Sequence, residues 1–163
     1  MTPFDKAFEY TMKWEGGAAC TNDPDDPGGL TKWGISKRSH PDIDIENLTE
    51  EAAKTLYALG YWGGINGNLL AEKSERVAIK VFDAGVNMGT VRAVRFLQEI
   101  LNGLLDEKVA VDGRLGPRTL EAVSMVDEEE LLDHYVIRLE MYYTKLDKPK
   151  YIKGWLRRAR ALP

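Results

Sequence analysis

A stretch rich in glycine and proline, residues 16–34, constrains the fold most, because it interrupts segments with helical patterns. Seven of its nineteen residues are glycine or proline. Its other turn-forming residues are Asn22, Asp23, Asp25 and Asp26. Prolines fix φ and glycines permit tight turns, so the stretch can be held stiffly. Since residues 31–36 add aromatic and β-branched side chains, the stretch predicts an ordered polar loop or a short irregular hairpin rather than a linker.

The rest of the chain carries helical patterns. We expect helices over residues 2–15, 50–59, 69–86, 90–101, 117–125, 128–146 and 149–161. The expected N-caps are Thr2, Thr49, Thr90 and Asp127, the last with Glu130 in a capping-box pattern. Gly16 is suited to end the first helix, and Gly103 to end the helix that Thr90 begins. With strand signals confined to residues 18–36, the chain is predicted to be mainly α.

Length and charge limit the class of protein. The chain has 163 residues, which suits one compact unit. Its net charge of −4 hides an uneven distribution: residues 145–163 carry +6, so residues 1–144 carry −10. An acidic body lacks the basic face that nucleic-acid binding needs, and we expect no nucleic-acid partner. The basic tail either attracts an anionic wall polymer or membrane, or docks onto the acidic body.

Several kinds of site are excluded by the residues that are missing. Cys20 is the single cysteine, so no intramolecular disulfide forms, and His40 and His134 show no zinc spacing. No phosphate-binding glycine loop and no serine nucleophile elbow occurs. We therefore expect neither a metal nor a cofactor. No apolar run approaches the roughly 18 residues of a membrane-spanning helix, and no signal peptide is visible.

Glu15 has the setting of a catalytic acid. It is predicted at the carboxyl end of the first helix, between Trp14 and two glycines. The negative end of the helix dipole, desolvation by Trp14 and repulsion from loop carboxylates all favour its protonated form. A carboxylic acid that keeps its proton near neutral pH can protonate a glycosidic oxygen. The alternative is a solvated glutamate that merely closes the helix.

The acidic loop offers a second carboxylate opposite Glu15. Glycoside hydrolysis pairs one acid with one base or charge stabiliser. The candidates for the second role are Asp23, Asp25 and Asp26. Thr31 is suited to hold a water molecule by its hydroxyl. The alternatives are a simple turn and a calcium loop, but the EF-hand spacing fails because Gly34 stands where the closing glutamate belongs.

Further residues are candidates to contact a sugar substrate. Trp33, Tyr61 and Trp62 have flat faces that suit the apolar side of a sugar ring, although aromatic residues at helix edges more often lie in the core. Asp83 and Asn87 are four residues apart, on one face of a predicted helix. They either line the cleft or form a buried polar pair that ties this helix to the loop.

Motifs spread along the chain resemble glycoside hydrolase family 108, a family of lysozyme-like N-acetylmuramidases. The first is Glu-Gly-Gly at 15–17 followed by Asp-Pro-Gly-Gly-x-Thr-x-Trp-Gly-Ile-Ser at 26–36. The second, at 83–89, resembles the family's Asp-x-x-Val-Asn-x-Gly helix. The third, Val-Asp-Gly-Arg-Leu-Gly-Pro at 111–117, is similar to the predicted peptidoglycan-binding region of the family, and Gly-Trp-x-x-Arg at 154–158 also matches.

The resemblance implies a mainly α, lysozyme-like α+β fold with a short irregular hairpin after the first helix. It implies a catalytic part at residues 1–68 and a helical part at residues 69–163, packed as one globular unit. The implied substrate is the glycan strand of peptidoglycan, cut at the β-1,4 bond between N-acetylmuramic acid and N-acetylglucosamine. We expect a monomeric phage or prophage endolysin, made in the cytoplasm without a visible signal peptide and released to the wall by a holin-type partner.

The resemblance also implies roles for single residues. Glu15 matches the catalytic acid, while Asp26 and Thr31 match residues that position or activate water, which favours inversion. Trp33 and Gly34, in the same motif, are placed at the substrate. The chain departs from the family where Ala18-Ala19-Cys20 follow instead of an early aromatic residue, and where Trp33 replaces the frequent tyrosine or phenylalanine; both changes affect the wall of the sugar site.

Two other functions stay open. A lytic transglycosylase breaks the same bond with one glutamate and leaves a 1,6-anhydro end. A peptidoglycan-binding or secretion-related protein without catalysis needs neither carboxylate, so the presence of both Glu15 and Asp26 speaks for an enzyme.

Overall fold

The computed structural model describes residues 1–25 and 27–163, which form eight α-helices and one short β-hairpin. The helices are α1 (Pro3–Glu15), α2 (Glu50–Tyr57), α3 (Gly67–Lys73), α4 (Glu75–Met88), α5 (Thr90–Leu104), α6 (Pro117–Ser124), α7 (Glu128–Lys145) and α8 (Ile152–Arg160). The strands are β1 (Thr31–Lys32) and β2 (Ile35–Ser36). The predicted fold class, mainly α with a short hairpin after the first helix, is confirmed.

Three of the four predicted N-caps are confirmed by hydrogen bonds from the first helical turn. The side chain of Thr2 accepts from the backbone N–H of Asp5 at 3.1 Å. Thr49 accepts in the same way from the third residue of its helix at 3.2 Å, and Asp127 from Glu130 at 3.1 Å. These side-chain bonds satisfy backbone donors that a helix start leaves without an intrahelical partner.

Two predictions about helix ends were wrong. The single helix expected over residues 69–86 is two helices, α3 and α4. The backbone of Ser74 is extended (φ −158°), which ends α3, and its hydroxyl caps the start of α4. Thr90 is not an N-cap: it is the first residue of α5, after Gly89 with φ +93°. The helix ends at Leu104, one residue after Gly103, near which the sequence placed its end.

Helix α4 forms the centre of the molecule. Its residues 77–85 are all buried, and it packs against α1 and α3 as well as against α5 and α7. Aromatic rings fill the contact with the amino-terminal part, where Phe82 lies 5.7 Å from Trp62 and 6.1 Å from Phe4 between ring centroids. None of the helices within residues 1–25 and 27–163 has both the length and the apolar character needed to cross a membrane.

The hairpin follows α1 and folds back onto its carboxyl end. Strands β1 and β2 are antiparallel, with Thr31 opposite Ser36 and Lys32 opposite Ile35. Thr21 extends the pairing through two backbone hydrogen bonds of 2.8 Å to Thr31. The backbone N–H of Trp33 donates to the carbonyl of Gly17 at 2.9 Å. This bond fixes the tip of the hairpin beside the end of α1.

Candidate active site

Glu15 is the last residue of α1, and its carboxyl group is accessible from solvent. Its side chain is 22% exposed. Gly16 ends the helix in the left-handed conformation, with φ +78°. The predicted position of Glu15 at a helix end is therefore confirmed, while its catalytic role stays a prediction.

The tip of the hairpin presses its backbone against Glu15. Gly34 has φ +72°, and a Cβ atom built on it would lie 3.1 Å from both Cβ and Oε2 of Glu15. The same atom would collide with the hydroxyl of Tyr57. Only glycine accommodates this conformation and this approach together. Gly34 thus brings the backbone of the hairpin to the Glu15 carboxyl group without adding a side chain of its own.

Trp33 holds this turn in an unfavourable backbone conformation. Its φ of +54° lies in the left-handed region, and with Gly34 it makes the two-residue connection in which both residues have positive φ. Such strain persists where surrounding contacts over-determine the backbone. Here the N–H of Trp33 donates to Gly17, its carbonyl accepts from the hydroxyl of Tyr57 at 2.9 Å, and its ring lies 6.4 Å from that of Phe8.

A buried arginine from the last helix contacts Glu15. Nη1 of Arg158 donates to Oε1 of Glu15 at 2.7 Å. The other side of the guanidinium binds Asp83, with Nη2 at 2.9 Å from Oδ1 and Nε at 3.1 Å from Oδ2. Side chains of Arg158 and Asp83 are only 9% and 4% exposed. One planar guanidinium therefore joins α1, α4 and α8 at the candidate acid.

Further buried polar groups stabilise the contact between Arg158 and Asp83. Thr11 donates from its hydroxyl to Oδ1 of Asp83 at 3.1 Å. Nζ of Lys80, one helical turn before Asp83, donates to the backbone carbonyls of Arg158 at 3.1 Å and Ala161 at 2.6 Å. Burial lowers the pKa of Lys80 from 10.5 to about 8, although the charge of Asp83 opposes the change. Both hydrogen-bonded contacts hold α8 on the body.

The charges around Glu15 differ from those expected. Asp23 and Asp25 are exposed, and Asp23 accepts the backbone N–H of Asp25 at 2.9 Å within a local turn. The expected second carboxylate, Asp26, lies outside the described residues. In the part of the chain that the structure describes, the ionic partner of Glu15 is the guanidinium of Arg158.

Two tyrosines stand beside the Glu15 carboxyl group. Burial raises the pKa of Tyr57 and of Tyr61, and the negative charge of Glu15 adds to both increases. Both hydroxyls therefore stay neutral across the physiological range. The ring of Tyr61 is half-buried and lies 5.3 Å from that of Tyr57. Tyr61 stays a predicted substrate contact at this site.

The other predicted substrate residues lie in different settings. Trp62 is 5% exposed and donates from Nε1 to Asn68 at 2.9 Å, so it occupies the core as the alternative interpretation held. Thr31 is half-buried, and its hydroxyl donates to the carbonyl of Gly29 at 3.0 Å. Asn87 lines a groove beside α8 together with Trp14 and Arg158.

Asp83 was expected either to line the cleft or to form a buried polar contact, and the structure shows the buried polar contact. Within residues 1–25 and 27–163, however, its hydrogen bonds tie α4 to α1 and α8 rather than to the loop. Sequence reasoning did not assign a role to its partner Arg158, nor to Thr11 or Lys80. Arg158 was visible in the motif at 154–158 and as part of the basic tail. Its function could not be separated there from that of six other cations.

Comparisons with known proteins agree with this architecture. The family model described as glycosyl hydrolase 108 matches residues 8–89, and that described as predicted peptidoglycan domain matches residues 92–160. The solved structure of Brucella abortus SagA is similar, with a TM-score of 0.77 and 26% sequence identity. The similarity covers 96% of this chain and 88% of SagA. No curated protein matches the sequence.

Proposed function

Because the chain belongs to the glycosyl hydrolase 108 family, we propose that it hydrolyses the β-1,4 bond between N-acetylmuramic acid and N-acetylglucosamine. The family and the peptidoglycan domain together support a glycoside hydrolase that acts on peptidoglycan. The observation that carries the specific reaction is the partly exposed side chain of Glu15, whose carboxyl group binds Arg158 and is approached by the backbone of Gly34.

In the proposed reaction Glu15 donates its proton to the glycosidic oxygen as the bond from that oxygen to C1 breaks. Oε1 is occupied by Arg158, so Oε2, the oxygen next to Gly34, is the one that delivers the proton. The carboxylate that forms is stabilised by the guanidinium already in place. Asp83 neutralises part of the arginine charge, so Arg158 orients the acid without acting as an uncompensated cation.

Water completes the reaction from the loop side. We assign Asp26 as the base that takes a proton from the attacking water, whose oxygen then bonds to C1. Thr31 assists as a hydrogen-bond acceptor, since its own hydroxyl proton is directed to Gly29. A water held by an aspartate on the opposite face of the sugar gives inversion at C1.

The first test is Glu15→Gln, with Glu9→Gln as its matched control on the same helix. Removing the general acid should lower the rate of peptidoglycan clearing by about 10²–10⁴-fold. The glutamine still accepts a hydrogen bond from Arg158, so the fold should be kept. Glu9 is exposed and its variant should clear at the wild-type rate. Turbidity measures the clearing and circular dichroism the fold; undiminished clearing by folded Glu15→Gln would reject the assignment.

The products distinguish hydrolysis from transglycosylation. Hydrolysis leaves a reducing muramic acid end with the mass of an added water, whereas a lytic transglycosylase leaves a 1,6-anhydro end. Mass spectrometry of digested strands should show only the hydrated ends. Binding of strands with no cleavage by well-folded protein would instead support a protein without catalysis.

A further inference from the structure

The cations of the basic tail divide into two groups. Arg158 is paired with Glu15 and Asp83, and Arg160 with Glu140 at 2.5 Å. In the part of the chain that the structure describes, no ion pair is formed by the other five cations of the tail: Lys145, Lys148, Lys150, Lys153 and Arg157. Docking onto the acidic body therefore accounts for Arg158 and Arg160, and the remaining five cations are available to a ligand.

Two of these five cations, Lys150 and Arg157, line a groove between α8 and the end of α1. The groove has a volume of about 320 Å³, and we call it the α8 groove. The residues that line it include Trp14, Asn87, Lys150, Tyr151, Trp155 and Arg157. Arg158 also lines it, so the groove begins at the guanidinium that holds the candidate acid.

Flat aromatic surfaces form much of the groove. Trp155 is stacked between Tyr151 and Tyr143, with ring centroids 5.5 and 5.4 Å away and planes inclined by 26° and 29°. The guanidinium of Arg157 lies 5.8 Å from the ring of Trp14. Nζ of Lys150 lies 5.5 Å from the ring of Tyr151, which is 47% exposed. Both cations of the groove, Lys150 and Arg157, are thus held beside an aromatic ring.

Aromatic rings with adjacent cations suit a ligand that combines an apolar sugar face with carboxylates. A muramic acid residue is such a ligand, because it carries a lactyl ether that ends in a carboxyl group or continues into a carboxylate-bearing peptide stem. N-acetylglucosamine has no such arm. Asn87 adds an amide that can bond to a peptide group. The charge of this groove therefore distinguishes the two sugars of the strand.

We infer that the α8 groove binds the carboxylate-bearing lactyl–peptide arm of a muramyl residue next to the scissile bond. The inference rests on the proposed function for its choice of glycan. It assigns Lys150 and Arg157 as residues that bind the arm carboxylates, and Trp14 and the exposed Tyr151 as the surfaces on which the arm lies. Helix α8 then has two functions: its Arg158 orients Glu15, and its other residues help to form the groove that binds the arm.

The test measures binding on the Glu15→Gln background, where strands are not consumed. The ligands are soluble peptidoglycan strands with peptide stems, and the same strands with their carboxylates converted to amides. Lys150→Gln/Arg157→Gln should bind the native strands about tenfold more weakly and the amidated strands unchanged. The matched control, Lys148→Gln/Lys153→Gln, removes the same charge from exposed positions of the same tail outside the groove.

Calorimetry gives the dissociation constants, and the control should bind native strands within about twofold of its parent. Equal weakening in the control variant would mean general attraction of the tail to anions and would overturn the inference. Equal weakening on both ligands, or on neither, would also overturn it, as would binding to anionic phospholipid vesicles in place of strands. Because no turnover is measured, binding with no cleavage by the wild type would reject the proposed function and leave the groove assigned.

Discussion

At the scale of single residues, the candidate site depends on one guanidinium with two carboxylate partners. Glu15 can be identified from the sequence because its helix end and its glycines are local features. Arg158 cannot, since its partners Glu15 and Asp83 are 143 and 75 residues away in the chain. Only the packing of α8 on α1 and α4 brings these three side chains together.

Replacing Arg158 by lysine tests this arrangement. Lysine keeps the charge but lacks the planar fork that reaches both carboxylates. We expect kcat to fall at least about tenfold with KM little changed, and the free energy of unfolding to fall by about 1–3 kcal/mol because a buried carboxylate is left poorly bonded. The pH profile of kcat should also change, which a purely structural role would not produce.

Arg160→Lys is the control for this variant, because Arg160 lies on the same helix and its side chain is 64% exposed. Its unfolding free energy should stay within about 0.5 kcal/mol of the wild type. An Arg158→Lys enzyme with wild-type kcat and pH profile would show that the guanidinium does not orient the acid.

At the scale of elements, three of the four helix caps were predictable and one helix break was not. Thr2, Thr49 and Asp127 cap their helices through local side-chain bonds, which sequence spacing reveals. Ser74 lies within a segment whose sequence pattern suits one helix over residues 69–86, and that pattern does not show the extended backbone at Ser74. The hairpin was expected, but the approach of Gly34 to Glu15 depends on where the hairpin docks.

Gly34→Ala tests that approach. The added methyl group collides with the hydroxyl of Tyr57 and crowds the carboxyl group of Glu15. We expect the free energy of unfolding to fall by about 1–3 kcal/mol, and clearing of peptidoglycan to fall with it. Gly29→Ala is the control for stability, because Gly29 has a similar φ of +68° but open space around it.

Chemical denaturation measures the difference between the two alanine variants, which isolates crowding from backbone strain. Adding Tyr57→Phe to Gly34→Ala removes the colliding hydroxyl, so the double-mutant cycle should show favourable coupling. Equal stability of the two single variants would mean that the hairpin tip does not press on the acid.

At the scale of the whole molecule, buried titratable groups set how stability changes with pH. The pKa of Lys80 is about 8 in the folded protein and 10.5 in the unfolded reference. Between these values the unfolded chain binds more protons, so the free energy of unfolding rises with pH over this window. Burial raises the pKa of Tyr10, Tyr57 and Tyr143 above 10, so stability is lost as pH rises beyond that value.

The matching experiment compares wild type with Lys80→Met by chemical denaturation from pH 7 to 11. The wild type should gain stability from pH 8 toward pH 10 relative to the variant, whose curve lacks this increase, because methionine does not titrate. Both should lose stability at higher pH through their tyrosines. Parallel curves would show that Lys80 keeps an ordinary pKa in the folded protein.

The ion pair between Arg158 and Glu15 also affects the order in which the protein folds during its synthesis. It closes a loop of 143 residues, and contacts so distant in sequence are among the slowest to form. A chain still emerging from the ribosome presents Glu15 long before Arg158 has been synthesised. The Glu15 carboxyl group therefore acquires its guanidinium partner only when α8 docks, so the candidate site is completed only after the whole chain through Arg158 has been made.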